Sequence, residues 1–523
     1  MTRYDKSVTE GFWSSSEKLV STESMYWVIS VLGNLRMSTE PWTKLQVDFG
    51  SDHQLDIEDE VIPTLSGTES ANMFSQAVSD RYRCPEEFFK IATREHLSPE
   101  AGYFRFGPNA ICYGRSSLGM LASRPESALH DALKDVAVND AKLYFPFALD
   151  EVVDNLRLER YADGQPNESG FKRFYRNLYY HLRPLTNLAI RKQVQKFHAR
   201  NWKKRAFPHW PVDTTVEGVC ETALLLSMEA RGVEKIPFVW FWPDGASSCL
   251  AMTHDVETRA GRDFCPALMD VDDAFGVKAV FGIVPEERYE VSPDLLESIR
   301  SRGFEVAIQD LNHDGRLFDD KQEFLRRAKI INRYGREFGA RGFRAAVLYR
   351  KPEWYDALEF AYDMSFPNVA PLDPQHGGCC TVTPFFIGNM LELPVTTIQD
   401  YTLFHVLNER SIDLWKSQID LVLKKNGLLS FIVHPDYVLR PDTFSVYKHL
   451  LGYLQELREK TAIWCALPSE INEWWRARSK MSVVKDGQSW RIVGDGARRA
   501  VLAYARNVDG KVAYEFPAPT RPQ

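Results

Sequence analysis

Two carboxylates stand two residues apart in Thr253-His254-Asp255-Val256-Glu257, directly after the apolar run Ser248-Cys249-Leu250-Ala251-Met252. A strand turns residues i and i+2 to one face, so Asp255 and Glu257 converge at a strand's C-terminal end. Barrels and open α/β sheets build their active sites there, and paired carboxylates suit metal binding or proton transfer. The plainer reading is an aspartate that caps the next loop. His254 points to the opposite face unless the strand bends inward. Four more strand ends carry polar groups. Gln309-Asp310-Leu311-Asn312-His313-Asp314-Gly315 follows Phe304–Ile308, and Arg344 follows Gly342. Leu391-Glu392-Leu393-Pro394 ends another apolar stretch, and Leu429–Val433 runs into His434-Pro435-Asp436. Each residue alone has a structural reading; together, at successive strand ends, they point to one site.

The elements that must hold these groups alternate in type. From about residue 237, strand-like runs (Val277–Ile283, Phe304–Ile308, Gly342–Val347, Leu428–Val433) interleave with helical ones (Pro293–Arg302, Asp320–Phe338, Trp354–Ala361, Leu414–Lys425, Thr443–Leu457). This β-α alternation predicts an α/β fold, a (β/α) barrel over 237–480. Residues 1–165 read as a mixed α/β region, with a hairpin around Pro108-Asn109 and a helix Phe147–Tyr161 in which Asp150 is the N-cap. Residues 166–236 read as a basic helical connector. Its segment 171–206 holds eleven Lys and Arg with no acidic residue among them, interleaved with Leu178, Leu182, Leu185 and Leu188. Such a segment either touches an anionic membrane surface or forms a solvated helix pair between domains. In 481–523, Asp486-Gly487 and Asp509-Gly510 predict hairpins in a small β extension.

Composition narrows the class. The 523 residues are 44% hydrophobic and 26% charged, the balance of a globular protein with more than one core. A net charge of −7 gives no reason to expect nucleic acid. No apolar run reaches the ~20 residues of a membrane span, and the start Met1–Lys6 leads into no signal-like apolar region, so a cytoplasmic protein is expected. The eight cysteines form no C-x-x-C pair and are expected to be reduced; adjacent Cys379 and Cys380 read as small buried residues beside a glycine turn.

The ordered set Asp255/Glu257, His313, Arg344 and His434 resembles the motifs of the polysaccharide deacetylases, the family four carbohydrate esterases, over residues 237 to about 475. That resemblance implies a distorted (β/α) barrel and a bound divalent metal. The implied activity is removal of an acetyl group from an N-acetylated amino sugar in a glycan or glycan precursor. It makes Asp255 the base, Arg344 the group that orients it, Glu257 and His313 metal ligands, and His434 the acid, oriented by Asp436 or Glu392. Asp363, in Tyr362-Asp363-Met364-Ser365, matches a further family segment. The sequence departs from the family at Gln309, which stands where the second motif has its first metal histidine. A neutral amide oxygen is a poor zinc ligand, so Asp310 or Asp314 could take its place, and manganese or magnesium becomes an alternative to zinc. The competing reading is a catalytically weakened barrel that binds glycan or acts as a scaffold in polysaccharide biosynthesis. An HD-type phosphohydrolase, suggested by His254-Asp255 and His313-Asp314, is disfavoured because both dipeptides follow strand-like runs rather than helices.

Overall fold

In the computed structural model, residues 75–163, apart from 118 and 120, and 206–517 are described below. All belong to one unit, Ser70–Gln523. The basic segment 171–205 lies outside them. The first described strands are short and aromatic: β1 (Ile91–Thr93), β2 (Gly102–Arg105), β3 (Ile111–Gly114), β4 (Ala137–Asn139) and β5 (Lys142–Phe145). β2 and β3 form the hairpin expected around Pro108-Asn109, and β5 pairs with β1 and β4. Phe104 and Phe106 pack on Phe147, with ring centroids 4.9 and 5.2 Å apart. The following helix is shorter than expected, Leu149–Arg157, and Asp150 does not cap it. The Asp150 carboxylate instead accepts from Ser75 Oγ (2.7 Å) and from the backbone N–H groups of Gln76 (3.1 Å) and Ala77 (3.0 Å). It thus satisfies free donors at the start of helix Gln76–Tyr82, where a negative charge is also favoured by the helix dipole.

After helix Thr215–Arg231 comes β6 (Lys235–Val239), and then the sheet that carries the candidate site. Its strands are β7 (Ser248–Val256), β8 (Ala279–Ile283), β9 (Glu305–Gln309), β10 (Gly342–Arg344), β11 (Tyr362–Asp363), β12 (Phe385–Ile387), β13 (Met390–Glu392), β14 (Leu428–Ile432) and β15 (Ile463–Cys465). They run in the order β12-β13-β11-β10-β9-β8-β7-β14, with β15 also on β7. Every pair is parallel except β12 with β13. β7 is buried at all nine positions, as a strand covered on both faces must be. The intervening helices bury apolar stripes; Lys321–Glu337 buries Phe324, Ala328 and Ile331 at helical spacing.

Strand pairing does not carry this curled sheet round to closure. The segment after β13 bridges its two ends instead. Leu393 and Val395 donate to Asp363 O (2.9 Å) and Phe366 O (2.8 Å), while Thr396 Oγ1 and Thr397 Oγ1 donate to Leu428 O (2.6 Å) and Ser430 O (2.7 Å). Pro394 has no N–H to give to a ladder, and the threonine hydroxyls supply donors that a regular strand would take from its backbone.

Two elements end earlier than the sequence pattern suggests. β10 stops at Arg344, because Ala345 N–H bonds Ser365 Oγ (2.9 Å) and the chain turns through Val347 at φ 59°. The expected helix Trp354–Ala361 is a 3₁₀ turn, Pro352–Ala357. The Asn332 amide ends it by bonding Ala357 O (2.9 Å) and Glu359 N (2.9 Å). Beyond helix Pro468–Ser479, β16 (Ser482–Asp486) pairs with β17 (Ser489–Val493), and β18 (Leu502–Val508) with β19 (Lys511–Glu515). Asp509 and Gly510 have φ of 52° and 75°, as a tight hairpin turn requires. β18 also pairs with β6, so the last strands lock onto the residues that lead into β7. Among the described residues, no helix is long and apolar enough to cross a membrane.

Candidate active site

The period of β7 decides which side chains meet. Thr253 and Asp255 share one face and Glu257 follows on the same side; His254 takes the other. The strand does not bend to bring His254 inward. Its Nε2 lies 2.9 Å from Asp272 Oδ2 and its Nδ1 3.0 Å from Val433 O, so it braces the back of the strand.

Arg344, at the end of β10, reaches across to β7. Its Nη1 donates to Asp255 Oδ1 (2.6 Å) and Thr253 Oγ1 (2.7 Å), and its Nε to Met364 O (2.9 Å). Both members of the ion pair are buried. In so dry a setting the carboxylate keeps one orientation, with Oδ1 engaged and Oδ2 turned into the site.

Glu257 collects three neighbours on one oxygen. Its Oε1 lies 2.8 Å from His313 Nε2, 3.4 Å from His434 Nε2 and 3.3 Å from Gln309 Nε2. Burial works to raise the Glu257 carboxyl, but the two histidines outweigh it and hold it well below the usual carboxylate range. Glu257 keeps 17% of its side-chain surface exposed against 4–6% for Asp255, His313 and His434, so solvent reaches the group on its side. His313 sits in a tight loop, with φ of 56° there and 55° at Asp310. Arg327 pins that loop through Asp314 (2.9 and 2.8 Å). Asp314 is therefore committed to an arginine, and Asp310 Oδ1 accepts from Leu311 N (2.6 Å). Asp310 Oδ2 is buried with no hydrogen-bond partner, and the Gln309 amide faces Glu257.

His434 follows β14 and is held by a residue the sequence reading did not single out. Asp400 Oδ1 lies 2.6 Å from His434 Nδ1, and Asp400 Oδ2 accepts from the His434 backbone N–H (2.8 Å). Burial pulls the imidazole pKa down, yet Asp400 and Glu257 push it well above the ordinary value. The Tyr437 ring packs on His434 with centroids 4.7 Å apart. Asp400 opens the helical turn that continues as the π-helical Thr402–Val406, with no apolar run to announce it.

Glu392 and Asp436, expected to orient His434, do other things. Glu392 Oε1 accepts from Phe366 N (3.0 Å) and lies beside Asp363 on the paired strand. Burial, with Asp363 beside it, raises the Glu392 carboxyl well above its usual range. Asp363 accepts from Ser365 Oγ (2.6 Å). These two acids form a pocket of buried charge chemistry behind Arg344. Asp436 lies near His434 and is pushed by burial, against the pull of His434, up to about 6. It also crowds Gly261, where an added Cβ would come within 2.5 Å of Asp436 Oδ1.

The donor chemistry fits a divalent cation. Ligating atoms of Asp255, Glu257 and His434 lie within 4.8 Å of one another, and His313 Nε2 points at the same Glu257 oxygen. Carboxylate and imidazole donors of this kind serve catalytic zinc sites.

No family model matches the chain, and no curated protein matches it at a significant level. Solved structures similar to it include a protein assigned as a polysaccharide deacetylase from Mycobacterium smegmatis. That structure is 18% identical at a TM-score of 0.39, covering 48% of this chain and 98% of its own. The Puue allantoinase is 14% identical at a TM-score of 0.36, over 45% of this chain and 92% of its own. The peptidoglycan deacetylase PdaC from Bacillus subtilis is 12% identical at a TM-score of 0.30, over 45% and 95%. Each of these likenesses is at low identity and spans just under half of this chain and nearly all of the other.

Proposed function

We propose that this chain is a metal-dependent hydrolase that removes the acetyl group from an N-acetylated amino sugar in a glycan or glycan precursor. The observation that carries this reading is a facing pair of proton-handling groups. Asp255 Oδ2 and His434 Nε2 lie 4.0 Å apart, each fixed from behind, by Arg344 and by Asp400. One offers an oxygen to a proton, and the other is held as a cation suited to give one.

Asp255 Oδ2 accepts a proton from a water molecule as its oxygen adds to the acetamide carbon. Arg344 keeps the carboxylate turned to that water. As the carbon–nitrogen bond breaks, His434 Nε2 gives its proton to the nitrogen, and acetate and a free amine leave. Asp400 stabilises the imidazolium and fixes its ring. Glu257 and His313 would hold the ion beside Asp255, leaving His434 Nε2 free to carry its proton. A bound divalent ion would polarise the carbonyl and acidify water. Zinc suits these donors first, with manganese and magnesium as alternatives. A cytoplasmic location, with peripheral membrane contact through 171–206, completes the reading.

One observation favours the weakened, glycan-binding alternative: a neutral amide, with its Nε2 3.3 Å from Glu257 Oε1, stands where the family's second motif has a metal histidine. Metal analysis of the purified protein separates the two. The hydrolase reading expects one divalent ion per chain, lost in Glu257→Ala and His313→Ala; a wild type that takes up no ion contradicts it.

A further inference from the structure

Gln309 closes β9 fully buried, and its two amide atoms are in unequal positions. Nε2 is 3.3 Å from Glu257 Oε1, whereas Oε1 is buried with no hydrogen-bond partner. A buried carbonyl oxygen without a partner is costly, so this orientation of the amide leaves one of its two groups unsatisfied. The space beside it is kept open by Gly282 on β8. A Cβ there would lie 3.4 Å from Gln309 Oε1 and 3.3 Å from Asp255 Oδ1. Gln309 thus presents its nitrogen to Glu257 and its oxygen to the space that the missing Gly282 side chain leaves beside Asp255.

An amide turned half a revolution about its terminal bond exchanges oxygen for nitrogen at nearly constant shape. Without a cation, the nitrogen must face Glu257, because two oxygens would repel. With a cation held by Glu257 and His313, the preference reverses: the oxygen turns to the ion and the NH₂ turns to the open Gly282 side. We infer that Gln309 is a metal ligand through its side-chain oxygen, reached by this amide turn, and that it sets the ion preference of the site. The inference rests on the hydrolase reading above. Replacing an imidazole by a neutral oxygen hardens the donor set, so zinc keeps a smaller margin over manganese than a histidine there would give it.

The test is calorimetric titration of the full chain with MnCl₂ and, separately, ZnCl₂, for wild type, Gln309→Leu, Gln309→Glu, Gln309→His and His313→Ala. Circular dichroism of each variant confirms that it is folded. Losing the amide oxygen in Gln309→Leu weakens Mn²⁺ binding by about 10-fold or more, and an anionic oxygen in Gln309→Glu strengthens it by a similar factor. Gln309→His raises the Zn²⁺/Mn²⁺ affinity ratio by about 10-fold. A Gln309→Leu protein that binds both ions like wild type, while His313→Ala does not, overturns the role of Gln309 and leaves the hydrolase reading standing. Absence of binding by the wild type overturns both.

Discussion

Asp400 grips His434 at two points, with one carboxylate oxygen 2.6 Å from Nδ1 and the other accepting the residue's own backbone N–H at 2.8 Å. The ring can neither rotate nor change the nitrogen that faces Asp255 and Glu257. Together with Glu257, Asp400 also keeps the imidazole charged against the effect of burial. A carboxylate behind an imidazole with its far nitrogen at the reaction side is the arrangement a general acid needs.

That coupling predicts a pH effect. Activity that needs protonated His434 falls on the alkaline side as pH passes through the raised pKa of His434. Asp400→Asn removes a main cause of the rise, so its alkaline limb shifts to lower pH, and kcat falls about 10- to 100-fold. The check is kcat against pH for both proteins; an unmoved alkaline limb counts against this role of Asp400.

The Arg344–Asp255 pair is buried on both sides, so losing one partner leaves a charge uncompensated. Arg344→Ala is expected to destabilise the fold by about 3–5 kcal/mol. Arg344→Lys keeps a charge but not the planar fork that serves Asp255, Thr253 and Met364 together. Denaturant unfolding should therefore show the lysine variant better folded than alanine, while its kcat stays well below wild type. Wild-type turnover in the lysine variant would remove the positioning role.

Glu392 and Asp363 predict a stability effect away from the reacting groups. The Glu392 pKa is raised in the fold, so its stabilising contribution is complete below the unfolded value and is lost as pH rises through the folded one. Glu392→Gln cannot ionise, and its thermal midpoint should fall less than that of wild type between acid and mildly alkaline pH. Parallel melting curves across that range would show that the acid pair bears no linked proton.

Asp150 is a purely structural case. Asp150→Ala frees the first N–H groups of helix Gln76–Tyr82 and should cost about 1–2 kcal/mol in urea unfolding. Acetate release per folded molecule is expected to stay unchanged; an unaltered unfolding midpoint would show that the cap contributes nothing.

What the sequence made legible follows from physical range. Asp255 and Glu257 share a face through strand periodicity alone, and Arg344 and His434 each stand at or just beyond the end of an apolar run. Asp509-Gly510 marks its hairpin because few residue pairs accept two positive φ angles. Contacts that skip along the chain left no local trace. Asp150 has the right type and spacing to cap its own helix, yet serves one that starts 74 residues earlier. Asp400 lies 34 residues before His434 at the start of a short helical turn without apolar periodicity, so nothing nearby connects the two. Glu392 sits at a strand end like the site residues but on β13, where its neighbour is Asp363 and not His434. The bridging by Thr396 and Thr397 was equally invisible, because side-chain hydroxyls there do the work of a strand backbone.

The central claim is that Asp255 takes a proton from the attacking water and His434 gives one to the leaving nitrogen of an acetamide. It is tested most directly by acetate release from N-acetylglucosamine oligomers, using the full metal-loaded chain and its Asp255→Asn and His434→Ala variants. The account predicts acetate from the wild type and a loss of about 100-fold or more in each variant, with metal content retained in His434→Ala. Acetate release at the wild-type rate by either variant, or none from the metal-loaded wild type, contradicts it.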